Sequence, residues 1–306
     1  MIKKHKIKNL ERRFLLMKRK GLKLIISALT ITMTLGILAG CGNKQENKEE
    51  SKKKAISGSI TALGSSALQP LVEQGAKQFM QKNPDATINV QGGGSGAGIN
   101  QVVSGSVEIG NSDVTAESKL KDKNQVSSLV DHKVCAIGFG MIVNKEVKVD
   151  SLTKEQIQKI FTGEITNWKD VGGQDEKINV INRSKSSGTR ATFKDTVMDG
   201  KDEKEGLGTT QDSSGSVVKA IGQTKGSISY VAFSHLNDEV KALKINNVEP
   251  TKENIIAKKY DFWSYEHMYT KGEPEGLTKA FIDYMISDEA KPLIERLKYI
   301  PASDIK

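Results

Sequence analysis

The sequence predicts an α/β fold built on largely parallel sheets, and two observations support this prediction. The 306 residues are 37% hydrophobic and 5% aromatic, which fits a globular chain better than one with many membrane spans. A strand-like segment, a loop rich in glycine or hydroxyl groups, and a helix-like segment follow one another several times along the chain. Strands that alternate with helices in this way are typical of parallel sheets.

The first strand–loop–helix unit begins at residue 57. Ser57–Leu63 has the alternating apolar pattern of a strand and ends in the loop Gly64–Ser66. The apolar residues between positions 68 and 80 then recur at helical spacing. Pro70 falls in the first turn of this helix, where proline is tolerated, and Pro84 ends it.

Two further units repeat the pattern. Thr87–Gln91 is a short predicted strand that leads through Gly92–Gly96 into a helix. Ile178–Ile181 is another predicted strand, and the loop 182–189 leads from it into a helix that carries Phe193. In each unit the loop delivers hydroxyl groups and glycines to the start of a helix.

Such helix starts are natural sites for an anion. The first N–H groups of a helix have no acceptor within the helix, and the helix dipole places partial positive charge there. Glycine allows an anion to approach the backbone closely. The alternative is that each serine or threonine simply caps its helix, and the loop pattern alone leaves both interpretations open.

The net charge argues against nucleic-acid binding. The formal net charge is +9 at pH 7, and residues 1–40 hold ten Lys or Arg and one Glu. The rest of the chain therefore holds 36 basic and 36 acidic residues. A neutral body lacks the basic surface that a phosphate backbone requires, so no nucleic-acid partner is expected.

Residues 1–40 are predicted to be a signal peptide. A basic run precedes Leu24–Ala39, an uncharged stretch shorter than the roughly 20 residues of a spanning helix. The segment ends in Leu38–Cys41, which resembles the bacterial lipobox, so Cys41 is expected to be acylated, with palmitate as a modification. An uncleaved anchor is the alternative. Residues 1–16 are interpreted as an upstream start that is not used, because Met17 directly precedes the basic run.

The segment 41–56 is almost wholly polar and is predicted to be a disordered tether. The other cysteine, Cys135, lies in the apolar run Val134–Val143 and is expected to be a buried core thiol. No Cys-x-x-Cys and no histidine spacing typical of metal ligands occurs in the sequence, so no metal is expected.

The glycine-rich segment does not match known nucleotide-binding loops. Gly93 and Gly98 have the spacing of a P-loop, but Ile99 and Asn100 stand where that loop needs Lys and Ser or Thr. No dinucleotide-binding βαβ unit and no Gly-x-Ser-x-Gly elbow is present either. The sequence therefore predicts neither an enzyme nor a bound cofactor.

Several segments together resemble, in order and spacing, the phosphate-binding proteins of ABC importers, which belong to the two-lobed periplasmic binding protein superfamily. The most specific one, Arg183–Thr189, matches the family signature Arg-x-x-x-Ser-Gly-Thr. The others are individually weak, and they are Gly64–Ala67, Gly94–Gly96, Gly110–Asp113, Ile160–Trp168 and Gly226–Tyr230. The resemblance covers nearly all of residues 57–306.

The resemblance implies a type II fold, in which two lobes, each a mostly parallel sheet flanked by helices, are joined by two crossover strands. Lobe 1 would comprise residues 57–138 plus 268–306, and lobe 2 would comprise residues 139–267. The implied function is capture of inorganic phosphate in the cleft and delivery to ABC permease subunits. The chain would be a monomer, anchored to the cell membrane by its lipid alone, on the extracytoplasmic face.

The resemblance also implies the phosphate ligands, which are Ser66, Ala67, Ser95, Asp113, Arg183, Ser187, Gly188 and Thr189. Ala67 and Gly188 would use their backbone N–H groups, and Asp113 would accept the proton of phosphate. Another oxyanion, such as sulfate, molybdate or tungstate, is the alternative ligand, although Asp113 argues against an anion that has no proton. Two positions depart from the family: Lys185 replaces an expected acidic residue, and Ala97 replaces an expected glycine.

Overall fold

The structure is a computed structural model, and it describes residues 56–305. The predicted signal peptide, Cys41 and all of the predicted tether except Ile56 lie outside the described residues. Among the residues that are described, no helix is long and apolar enough to cross a membrane.

The strands share the α/β pattern of the prediction and are β1 (Gly58–Gly64), β2 (Ala86–Gly92), β3 (Ile109–Ser112), β4 (Leu129–Val143), β5 (Ser151–Leu152), β6 (Asn179–Arg183), β7 (Thr209–Gln211), β8 (Ser227–Ala232), β9 (Lys241–Ile245), β10 (Trp263–Lys271) and β11 (Ile300–Pro301). The helices between and after them are α1 (Gln69–Lys82), α2 (Ser95–Ser104), α3 (Lys123–Ser127), α4 (Lys154–Phe161), α5 (Gly188–Thr196), α6 (Ser214–Gln223), α7 (Lys252–Ile256), α8 (Gly276–Ile286) and α9 (Lys291–Arg296). Short 3₁₀ turns include Ala116–Ser118 and Phe233–His235.

Eight of these strands form one hydrogen-bonded path in the order β2-β1-β3-β10-β4-β8-β6-β7, and β5, β9 and β11 pair off this path. The long strand β4 connects its two halves, because residues up to Gly138 pair with β10 and residues from Phe139 onward pair with β8. Strand β10 pairs with the first half of β4 from Trp263 onward. The chain therefore passes from one half to the other along β4, and residues before β10 bring it back.

The parallel strand pairs and the antiparallel strand pairs are distributed differently among the strands. The pairs β1–β2, β1–β3, β5–β9, β6–β7 and β6–β8 are parallel. Every antiparallel pair between the strands named above includes β4 or β10. The predicted parallel sheets thus occur on either side, and β4 and β10 introduce the antiparallel pairs.

The predicted units fold as their sequences indicate. Pro70 lies in the first turn of α1, and the helix ends at Lys82, just before Pro84. Helix α2 packs closely on the sheet at Gly98, where an added Cβ would lie 2.6 Å from the carbonyl oxygen of Leu63. Only glycine permits this approach, and it holds the start of α2 beside the carboxyl end of β1.

The core is continuous through both halves of the structure. Cys135 is fully buried, as predicted, and its thiol is free. Burial raises the pKa of this thiol well above its ordinary value.

In the second half, Phe193 stacks on Tyr230 with ring centroids 4.0 Å apart. This stack fixes α5 against β8, and the first turn of α5 carries Gly188 and Thr189, the last two residues of the signature segment.

Candidate functional site

The loops that follow several strands meet at one buried polar cluster. They include Gly64–Ser66 after β1, the start of α2 after β2, the end of β3, and the loops after β6 and β7. Each of the side chains predicted to bind the anion is at most 5% exposed. Parallel strands bring their carboxyl ends to the same edge of a sheet, which is why residues far apart in sequence meet here.

Asp113 lies at the centre of this cluster and is 2% exposed. One carboxylate oxygen, Oδ2, accepts a hydrogen bond from the Thr189 hydroxyl at 2.8 Å. The other, Oδ1, accepts one from the Ser65 hydroxyl. The backbone N–H of Asp113 donates to Ser95 Oγ at 3.0 Å. The structure therefore brings Asp113, Ser95 and Thr189 together.

Arg183 is the cation of the cluster and is only 1% exposed. Its Nη2 donates to Ser66 Oγ at 3.3 Å. Its Nε and Nη1 are buried and have no acceptor among residues 56–305. Burial lowers the pKa of this guanidinium, but arginine stays protonated in proteins. Arg183 is thus a buried cation with two donor nitrogens available to an acceptor that the chain does not supply.

A second arginine holds the backbone of Arg183 in place. Arg190 Nη1 donates to the Arg183 carbonyl oxygen at 2.6 Å, and Arg190 Nε lies 2.6 Å from Glu203 Oε2. The Tyr230 hydroxyl donates to the other oxygen of Glu203 at 2.7 Å. Burial raises the pKa of Glu203. These contacts support Arg183 from behind and leave its side chain directed at the cluster.

The two departures from the family pattern lie away from these contacts. The Lys185 side chain is 87% exposed and sits 3.6 Å from Glu205, so it neither orients Arg183 nor enters the cluster. Ala97 lies in the first turn of α2, where alanine is a favourable helix residue.

The signature loop and the start of α2 contact each other closely. An added Cβ on Gly188 would lie 2.1 Å from Ser95 Oγ, so this position needs glycine. The Gly96 N–H donates to the Ser186 carbonyl at 2.9 Å. Ser187 caps α5, because its Oγ accepts a hydrogen bond from the Arg190 N–H at 3.2 Å. Its hydroxyl proton remains available to donate a second hydrogen bond.

Ser66 and Ala67 lie on the other side of Arg183. Ser66 Oγ also accepts from the Ser214 N–H at 3.1 Å, at the start of α6. The predicted anion donor, the Ala67 N–H, donates in this structure to Ser65 Oγ at 3.0 Å. His235 Nε2 donates to the Ser66 carbonyl at 2.8 Å, and burial lowers the pKa of this imidazole.

Several residues of the cluster escaped the sequence analysis. Ser213–Gly215 has the same hydroxyl and glycine pattern as the three predicted loops, and this signal could have identified Ser214. Lys119 had no such signal: its Nζ donates to the carbonyl oxygens of Ser187 at 3.2 Å and Lys185 at 3.4 Å. Ser65 was within a predicted loop, but the choice between it and Ser66 as the partner of Asp113 depends on backbone direction.

The chemistry of the cluster suits an anion that carries a proton. It combines one buried cation, several hydroxyl donors and helix N-termini with a single carboxylate acceptor. Within residues 56–305, no group of three or more His, Cys, Asp or Glu side chains could hold a metal ion. A cavity of about 540 Å³ beside the cluster, lined by Arg190, Glu203 and Lys204 among others, holds charges of both signs and does not favour an anion.

Comparison with known proteins gives concordant matches. The family model of the PBP superfamily domain matches residues 49–289. The chain is 46% identical over 297 residues to the phosphate-binding protein PstS of Bacillus subtilis, covering 95% of this chain and 97% of that protein. It is 28% identical to the phosphate-binding protein PstS of Borreliella burgdorferi, covering 89% of this chain and 96% of that protein.

Solved structures agree. A putative phosphate ABC transporter substrate-binding protein with bound phosphate from Clostridium perfringens has a TM-score of 0.75 and 32% identity, covering 80% of this chain and 99% of that one. An ABC-type phosphate transport receptor from Vibrio cholerae has a TM-score of 0.63 and 28% identity, covering 80% of this chain and all of that one.

Proposed function

This chain belongs to the PBP superfamily and, within it, to the phosphate-binding PstS proteins, and from this premise we propose that it captures inorganic phosphate and delivers it to an ABC permease. The proposed ligand site is the buried cluster around Arg183 and Asp113. The role is that of a binding protein and not of an enzyme.

The observation that carries this proposal is that Arg183 and Asp113 are both buried in one polar cluster. Two buried donor nitrogens of Arg183 have no acceptor among the described residues, and an oxyanion would supply the missing acceptors. Asp113 offers an acceptor to the same space. Phosphate near neutral pH is an oxyanion that keeps a proton, so it fits both groups.

The individual roles follow the chemistry of each group. Arg183 would grip two phosphate oxygens with its planar guanidinium. Ser95, Ser187 and Thr189 would donate hydroxyl protons, as would Ser66 from the other side. The N–H groups of Ala67 and Gly188 would donate from the backbone, which requires Ala67 to exchange its bond to Ser65 for one to phosphate.

Asp113 would set the selectivity against sulfate, molybdate and tungstate. A carboxylate accepts a hydrogen bond from a protonated oxyanion but repels one without a proton, and the repulsion is strong in a site without water. This group, more than the donors, would decide which anions are rejected.

The two halves joined by β4 and β10 would act as lobes, lobe 1 comprising residues 57–138 plus 268–306 and lobe 2 residues 139–267. The change of partner along β4 between Gly138 and Phe139 supports the first of these boundaries. Opening and closing about the linking strands would admit and bury phosphate. Acylated Cys41 would hold this monomer on the extracytoplasmic face of the cell membrane.

The experiment is a thermal-unfolding comparison on the purified, phosphate-free protein. Phosphate, sulfate, molybdate, tungstate and a phosphate monoester are added separately, followed by calorimetric titration of each anion that raises the melting temperature. A ligand that binds only the folded state stabilises it by RT ln(1 + [L]/Kd). Phosphate alone should give a large shift. Equal stabilisation by sulfate or molybdate, or none by phosphate, would contradict the proposal.

A further inference from the structure

Glu266 is a fully buried acidic residue that none of the proposed phosphate contacts uses. Its exposed fraction is 0%, and neither of its carboxyl oxygens has a hydrogen-bond donor among residues 56–305. It lies on β10 at an irregularity, where the register against β4 shifts between Glu266 and His267. An isolated carboxylate is strongly disfavoured in such surroundings, so Glu266 is expected to keep its proton.

Strand pairing places Glu266 beside Asp113. In the antiparallel pair of β10 and β3, Met268 lies opposite Asn111 and His267 lies opposite Ser112. The next residues along these two segments are Glu266 and Asp113. The register therefore places Glu266 next to Asp113 at the carboxyl end of β3, behind the proposed phosphate site, and close enough for the charge of Asp113 to raise the pKa of Glu266.

The contacts of the two carboxyl groups show which one holds the proton. Two carboxylates in contact do not both ionise in a site without water. Both oxygens of Asp113 already accept hydrogen bonds, from the Ser65 and Thr189 hydroxyls. Glu266 receives none from the described residues. Burial, and then the charge of Asp113, raise the pKa of Glu266 well above its ordinary value.

The other titratable groups near Glu266 give it no positive charge. Cys135 lies opposite it on β4, and Tyr299 is close to it just before β11. Both are fully buried, and burial raises the pKa of each, so both stay neutral. Glu266 therefore has a neutral environment apart from Asp113.

Asp113, by contrast, faces basic groups. The side chains of Arg183, Lys119 and His235 all lie close enough to interact with its charge. Arg183 is the one that is always protonated. The pair is thus asymmetric, with Asp113 on the side of the ligand and the basic groups, and a neutral Glu266 behind it.

We propose that Glu266 is a positioning residue, whose protonated carboxyl group donates a hydrogen bond to Asp113 and so orients Asp113 to accept the proton of bound phosphate. This inference rests on the proposed function and adds to it a group that the ligand does not touch. Recognition of the phosphate proton would then depend on a second proton that belongs to the protein.

The test compares Glu266→Gln and Glu266→Met with wild type. Glutamine keeps the size of the side chain and an N–H that can donate to Asp113, whereas methionine keeps the length but has no donor. Calorimetric titration with phosphate should show near-normal affinity for Glu266→Gln. For Glu266→Met we expect a loss of about tenfold or more, the effect of removing a hydrogen bond to a charged group.

Infrared spectroscopy in D₂O provides a readout that a purely structural role would not change. The wild-type protein should show a C=O stretching band of a protonated carboxyl group at neutral pH, and Glu266→Gln should lack it. If wild type binds phosphate and the band is absent, or Glu266→Met binds phosphate as tightly as wild type, this inference is wrong while the proposed function stands. If wild type does not bind phosphate, the proposed function itself fails.

Discussion

Replacing Arg183 is the most direct perturbation of the proposed site, and the structure indicates its magnitude. Nε and Nη1 are buried without an acceptor among the described residues, so both are available to the ligand. A hydrogen bond that involves a charged group contributes about 1.5–3 kcal/mol, and two of them contribute about 3–6 kcal/mol. At tenfold per 1.4 kcal/mol, Arg183→Ala should weaken phosphate binding by at least about 100-fold.

The assay is calorimetric titration with phosphate after exhaustive dialysis to remove phosphate that copurifies. Lys185→Ala is the matched control. It also removes one positive charge, only two positions along the chain, but the Lys185 side chain is 87% exposed and lies outside the cluster. It should bind phosphate almost as wild type does. Arg183→Lys should recover only part of the affinity, because an ammonium group cannot hold two oxygens in the planar geometry of a guanidinium.

The reasoning would be refuted by a folded Arg183→Ala protein with near-normal affinity. Equal losses in Arg183→Ala and Lys185→Ala would also refute it, since the effect would then be one of net charge and not of the buried donors. Circular dichroism and thermal unfolding of each variant show whether the fold is retained.

Three further predictions concern selectivity, backbone and anchoring. Wild type should prefer phosphate over sulfate by at least about 100-fold, and Asp113→Asn should narrow this ratio in competition binding because an amide can donate to an unprotonated oxygen; an unchanged ratio would contradict the role of Asp113. Gly188→Ala should lose phosphate binding, because its Cβ would lie 2.1 Å from Ser95 Oγ. Gly215→Ala is the control, because an added Cβ there meets open space at the start of α6, and it should bind phosphate normally. Equal affinities of the two variants would contradict the requirement for glycine at position 188. Cys41→Ser should release the protein from membranes or leave an unprocessed precursor in cell fractionation, and normal processing with unchanged membrane retention would exclude the lipobox.

The sequence predicted the local units well because each carries its own signals. Pro70 and Pro84 bracket α1, and the alternating pattern before Gly64 corresponds to β1. The signature segment Arg183–Thr189 could be located because its spacing is specific. These features depend on neighbours in the sequence, and local physical chemistry is enough to identify them.

The sequence could not identify the contacts between distant elements. Lys119 binds the signature loop through backbone carbonyls, which leave no trace in a motif. Glu266 lies beside Asp113 only because β10 pairs with β3 in one particular register. Ser65, and not Ser66, donates to Asp113 because of the direction in which the chain leaves β1. Each of these contacts depends on sheet register, which a single sequence does not specify.

The polar cluster is a poor arrangement for stability, and this argues that its purpose is binding. Arg183 is buried with two donors that have no acceptor among the described residues. Glu266 is buried with two oxygens that receive no hydrogen bond from the described residues. Apolar residues of similar size at these positions would generally cost less, because unsatisfied polar groups are expensive in an interior. Proteins retain such costs mainly at functional sites, where a ligand supplies the missing partners. For Arg183 that partner would be phosphate, whereas Glu266 would donate its hydrogen bond to Asp113, the acceptor that phosphate needs.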